Sequence, residues 1–287
     1  MLGKLFKYEM RATGRTFLWL YIAFAAISIV NAVFGPGAVA TLNVTAGGDA
    51  AQVIAPAQNL VPEVLHGVIV LLYSLAVVAI VIVTFVVVIL RFYRSLLGNE
   101  GYLMMTLPVS REQHMLSKFS AAMVWTICSA ALVFGSILLM IASMDGFPAI
   151  AEGINEMIRM GVPVGRFAFF LVILLLASSA SGILMLYAAM SVGPNLLKNR
   201  VGGSILAYIL IYIAFTIVAF AVLAGVGSAL IGPGVLAGGT GIHGYMTANF
   251  VDNISTFAIV GLACHVAYAA GCWFLTRFML RRKLNLA

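Results

Sequence analysis

The side chains able to do chemistry in this sequence of 287 residues are sparse, and their spacing does not assemble a reaction centre. His265 is the only titratable side chain of its kind deep inside an apolar run, where an imidazole either relays protons or hydrogen-bonds a neighbouring helix. The second use is the commoner one for a single isolated histidine. Glu9 interrupts the apolar side of a basic amphipathic segment, positioned to pair with Thr13, a nearby lysine, or an arginine such as Arg91 or Arg94. No two carboxylates share one intramembrane face, and the patterns H-E-x-x-H, G-x-S-x-G and G-x-x-x-x-G-K-[ST] are missing. Cys128, Cys264 and Cys272 all fall inside apolar runs and read as small core residues, not as a disulfide framework or zinc site. The residues therefore predict no catalytic, cofactor-binding or metal-binding group, and no enzyme.

The elements that carry these residues are membrane elements. The chain is 63% hydrophobic and 9% charged, against roughly 25% charged for a soluble domain. Six apolar runs, at about 16–34, 65–90, 119–143, 167–192, 201–226 and 254–278, each approach or exceed the ~20 residues that cross ~30 Å of hydrocarbon. The fold class expected is an all-α polytopic membrane protein with six transmembrane helices. Two regions are distinguished: an amphipathic interface helix over 1–15 and a six-span domain over 16–287. In the first, Lys4, Lys7, Arg11 and Arg15 fall in one stripe, with Leu2, Leu5, Phe6, Met10 and Thr13 opposite.

The net charge of +7 is strewn over the ends of apolar runs, which argues against nucleic acid and for anionic headgroups. Of the 16 lysines and arginines, all but Arg159 and Arg166 fall on the side of the N-terminus if the six runs alternate. By the positive-inside rule both termini are then cytoplasmic. On the outer side, 148–160 carries Ile150, Ile154, Met157 and Ile158 along one helical face. Residues 227–253, with Gly232-Pro233-Gly234, suggest an outer cap that bends or re-enters. The Ser178–Gly182 cluster and Gly202-Gly203 are small-residue patches suited to close helix packing.

The most elaborate polar stretch is the inner loop 91–118. A turn-prone Gly98-Asn99-Glu100-Gly101 leads into an apolar Tyr102 to Pro108. Ser110 with Gln113 then makes a capping-box pattern opening the next helix. An apolar and aromatic core flanked by charges is the composition of a small protein interface.

Leu97 to Leu103, Thr106 to Arg111 and Leu116-Ser117-Lys118 resemble the corresponding loop of type-two class ABC exporter permeases, the transmembrane subunits of ATP-binding-cassette transporters. Lys7-Tyr8-Glu9 with Arg11, and Ser191-Val192-Gly193 through Lys198-Asn199-Arg200, are similar as well. The resemblance implies a permease with no ATPase of its own, pairing with a second permease copy as a homo- or heterodimer in the bacterial plasma membrane. ATP and Mg would bind a separate ATP-binding-cassette ATPase subunit docked on the inner loop, which acts as a coupling helix between the second and third spans. The implied docking residues are Glu100, Tyr102, Leu103, Leu107, Pro108 and Arg111, with Glu9 and Arg11 secondary. The uncharged spans predict an apolar or amphipathic cargo, such as a peptide, lipid or drug, exported from the cytoplasm. Two other readings share the topology: a non-transporting interaction or immunity protein, and an ion-coupled carrier relying on His265.

Overall fold

The computed structural model describes residues 2–34, 60–94, 110–143, 146–159, 162–197, 199–236 and 250–282. Among these there are seven helices and no strand: α1 (Leu2–Phe34), α2 (Leu60–Phe92), α3 (Arg111–Ser143), α4 (Phe147–Arg159), α5 (Val164–Leu196), α6 (Arg200–Leu236) and α7 (Phe250–Arg282). All but α4 are long and apolar enough to cross a bilayer. The described residues are all-helical, and the six long apolar helices are those of a multi-pass membrane protein. Each of the six expected apolar runs lies inside one of these helices.

The helices overrun their apolar runs. A 33-residue helix such as α3 is about 50 Å long at 1.5 Å per residue, whereas the hydrocarbon is ~30 Å thick. The excess is polar sequence that continues the helix, as at Glu112 to Lys118. The cap expected over 227–253 begins in the same way, because α6 continues to Leu236 through Gly232-Pro233-Gly234. The rest of that cap, up to Phe250, lies outside the described residues.

The largest departure from expectation is at the N-terminus. Of the expected surface helix over 1–15, residues 2–15 are the first turns of α1, which runs unbroken to Phe34. Nothing in Met10 to Leu18 interrupts a helix except Gly14, and one glycine costs only about 1 kcal/mol relative to alanine. The basic stripe is exposed as expected, but the opposite side is packed against protein: Leu5, Phe6 and Met10 are half-buried, and Glu9 and Thr13 are buried.

The chain divides into two compact units. One comprises Lys4–Val87 and Val124–Gly153, built from α1, most of α2 and the later part of α3. Its inward positions on α1 are Glu9, Thr13, Phe17, Phe24 and Ser28, then Asn31 and Ala32 three and four residues beyond Ser28, a spacing that keeps one face. Phe17 stacks on Trp125 with ring centroids 4.4 Å apart, and the Trp125 indole N–H donates to Thr13 Oγ1 at 2.8 Å. The Tyr21 hydroxyl donates to the Trp125 carbonyl at 3.1 Å and lies 2.8 Å from Ser129 Oγ. Ser129 Oγ lies 3.0 Å from Thr84 Oγ1, and Tyr73 OH meets Ser136 Oγ at 2.9 Å. Hydroxyl groups thus stitch α1, α2 and α3 together, each bond contributing about 0.6 kcal/mol in a membrane setting.

The other unit comprises Met1–Gly3, Val88–Met123 and Ile154–Ala287. Here α5, α6 and α7 pack on one another. Its apolar core runs along α5 from Ile183 to Met190 and takes in Val88, Phe92, Ala122 and Cys272. Of the three cysteines only Cys272 is buried; Cys264 is half-buried and Cys128 is exposed, so the core reading holds for one of them.

Candidate functional site: the helix ends around the start of α3

The segment expected to meet a partner lies between α2 and α3, and its two ends are built differently. α2 closes on Phe92, fully buried and stacked on Tyr187 of α5 with centroids 4.0 Å apart. α3 opens on a cap. Ser110 Oγ accepts the Gln113 backbone N–H at 3.3 Å, and the Ser110 carbonyl accepts from Gln113 and His114 at 3.0 and 3.2 Å. These bonds satisfy donors that a helix N-terminus otherwise leaves open. The Ser110 start expected from the capping-box pattern is therefore observed.

The first turns of α3 are pinned laterally. Glu112, in the first turn, pairs with Arg277 of α7 at 2.7 Å. A carboxylate there also meets the positive end of the helix dipole. Both side chains are more than a third exposed, so the pair contributes little beyond orientation. One turn further in, His114, Met115, Ser117, Lys118, Ala121 and Ala122 are all buried. Their spacing of three and four places them on one face, and Ser117 Oγ donates to the His114 carbonyl at 2.9 Å. Phe119 meets Trp273 of α7 edge-on at 6.4 Å.

The neighbouring α5–α6 connection is equally tight. Asn199 Oδ1 caps α6 by accepting the Val201 N–H at 3.2 Å, and the Asn199 carbonyl accepts from Gly203 at 2.8 Å. Gly193 and Gly203 bring the two backbones together: a side-chain carbon on Gly203 would fall on the Gly193 carbonyl, and one on Gly193 would fall on Ser204. Gly203 therefore packs as expected of the small-residue patch, whereas Gly202 faces only Asn199 at ordinary contact distance, 3.7 Å.

The expected docking residues divide as follows. Glu100, Tyr102, Leu103, Leu107 and Pro108 lie outside the described residues, and Arg111 is the first residue of α3. Arg11 is exposed on α1. Glu9 is 6% exposed and has a partner.

His265 sits on α7 with Nδ1 2.9 Å from Ser181 Oγ of α5 and its ring 5.5 Å from that of Phe215 of α6. This is the interhelical hydrogen bond expected of an isolated histidine. Ser178 and Ser179 bond back to the Leu175 carbonyl of their own helix at 2.9 and 2.8 Å. Among the described residues no group of three or more His, Cys, Asp or Glu is placed to hold a metal ion.

Sequence reasoning missed the buried His114-Ser117-Lys118 face and the Glu112–Arg277 pair. The signal for the first was present, because polar residues at i, i+3 and i+4 continue into the small Ala121 and Ala122. The second joins residues far apart in the chain and left no local trace. No family model, curated protein or solved structure matches this chain.

Proposed function

We propose that this chain is the membrane-spanning permease subunit of an ATP-driven exporter, moving an apolar or amphipathic cargo out of the cytoplasm. In this reading both termini are cytoplasmic, a second permease copy completes the pathway, and an ATP-binding subunit docks on the loop between α2 and α3. The observation that carries it is the anchoring on either side of that loop. Phe92 is locked onto Tyr187 at one end, and Glu112, His114, Ser117 and Lys118 are held at the other. A push delivered through this loop would meet helix ends that are packed onto α5 at Phe92 and paired with α7 at Glu112. The hydrogen bond between Ser181 and His265 supports a packing role for the one histidine an ion-coupled carrier would use.

Purification of the full-length protein from its native membrane in mild detergent tests the proposal. An ATPase should co-elute, and its hydrolysis rate should respond to this subunit. Leu107→Asp should reduce the recovered ATPase by about tenfold or more, the loss of roughly 1.4 kcal/mol or more expected when an interface anchor is charged. Co-elution unaffected by Leu107→Asp and by Glu100→Ala would remove the docking assignment. Failure to recover any ATPase would remove the exporter reading.

A further inference from the structure

The 13 residues of α4 contribute no buried side chain. At 100° per residue Phe147, Ile150, Ala151, Ile154, Met157 and Ile158 occupy one arc of about 120°, and Glu152, Asn155, Glu156 and Arg159 lie opposite. Phe147, Ile150, Ile154 and Ile158 are 51, 39, 40 and 57% exposed. The helix is therefore amphipathic, and among the described residues none buries either face.

Its position follows from its tethers. Three residues separate it from the end of α3 at Ser143, and four from the start of α5 at Val164. The Gly146 N–H bonds the Ile141 carbonyl at 3.0 Å, closing α3, and the Val162 N–H bonds the Met157 carbonyl at 3.0 Å, closing α4. Both are six-to-one bonds of the kind that end a helix in a tight reversal. Links of three or four residues reach no more than ~10–14 Å, so α4 cannot leave the membrane boundary.

We propose that α4 is an interfacial anchor, lying in the plane of the membrane on the side opposite the N-terminus with Ile150, Ile154 and Ile158 in lipid. Lipid is the occupant because links this short tie the helix to two membrane-spanning helices, and the residues it exposes on that arc are a phenylalanine and three isoleucines. One face of so short a helix is also well below the ~800 Å² per partner of a stable protein interface. Glu152 and Glu156 face water, and Glu156 pairs there with Arg159 at 3.4 Å. The inference rests on the six spans alone and stands or falls independently of the exporter reading.

The test uses the full-length protein in phosphatidylcholine–phosphatidylglycerol vesicles, with single nitroxide labels in a background carrying Cys128→Ala, Cys264→Ala and Cys272→Ala. Labels at positions 150, 154 and 158 should be several-fold more accessible to oxygen than to a nickel chelate, and labels at 152, 155 and 156 should show the reverse. Adding Ile154→Asp should cut the oxygen preference at 158 several-fold. Nickel access equal on both faces would place the helix in water and overturn the proposal. Exclusion of both reagents at 150 and 154 would mean that protein, such as a second copy, covers the face, and would overturn it as well. If Ile154→Asp fails to fold, the label pattern of the unsubstituted helix decides.

Discussion

Two glycines show how much a single missing methyl group decides. Gly193 and Gly203 lie where the C-terminal end of α5 meets the start of α6, and a side chain on either would overlap backbone atoms of the other helix. Backbone cannot yield as a flexible side chain does, so Gly203→Ala and Gly193→Ala should each destabilise the protein by about 1–3 kcal/mol, the range for overpacking. Gly202 is adjacent in sequence but would meet only the Asn199 side chain at 3.7 Å. Gly202→Ala should therefore be neutral within about 0.5 kcal/mol. Thermal unfolding of the three variants in one detergent reads the contrast, and equal midpoints for Gly202→Ala and Gly203→Ala would contradict the close approach. Only half of this was legible beforehand: Gly202-Gly203 stood out as a small-residue pair, but nothing local told which glycine faced α5. The hydroxyl stitching was hidden for a related reason. Thr84, Ser129 and Ser136 barely change the apolarity of their runs, and their pairing emerges only when three helices are brought together.

At the scale of elements, the apolar runs located every span but not where its helix ends. Hydrophobicity marks the part of a helix inside lipid; capping and packing mark where the helix stops. Ser110 is the exception, because its cap is a local pattern, and α3 does begin there. α1 is the reverse case. A polar amphipathic start followed by an apolar run reads as two elements, and the distinction dissolves once Thr13 is hydrogen-bonded to Trp125 and Phe17 stacked on it. The unbroken helix has a direct consequence at Gly14, whose added methyl would sit at a comfortable 3.7 Å from the Trp125 ring. Gly14→Ala should then stabilise the protein by up to about 1 kcal/mol through helix propensity. Were residues 1–15 a separate helix hinged at Gly14, the same change would stiffen a needed bend and lower stability. Unfolding of the detergent-solubilised variant distinguishes the two signs.

At the scale of the molecule, the decisive question is which way the chain faces, because an ATPase reaches only the cytoplasmic side. The helix ends at the start of α1, the end of α2, the start of α3, the α5–α6 connection and the end of α7 fall on one side if six spans alternate. They carry all the lysines and arginines except Arg159 and Arg166. The positive-inside rule predicts that a side with such an excess of basic residues is cytoplasmic. Lys7 and Arg94 are exposed near two of these ends, and Glu152 is exposed on α4, which alternation of the six spans would put across the membrane from them. Single cysteines replacing these residues, in a background without the native cysteines, should therefore react differently with a membrane-impermeant maleimide. In right-side-out vesicles the cysteine at 152 should label and those at 7 and 94 should not; all three should label once detergent opens the vesicles. The opposite pattern would turn the loop between α2 and α3 outward, away from any source of ATP, and end the exporter reading while leaving the six-helix fold and the anchoring of α4 untouched. Labelling of all three positions in sealed vesicles would mean that the chain inserts both ways, and a one-sided docking surface could not then couple it to an ATPase.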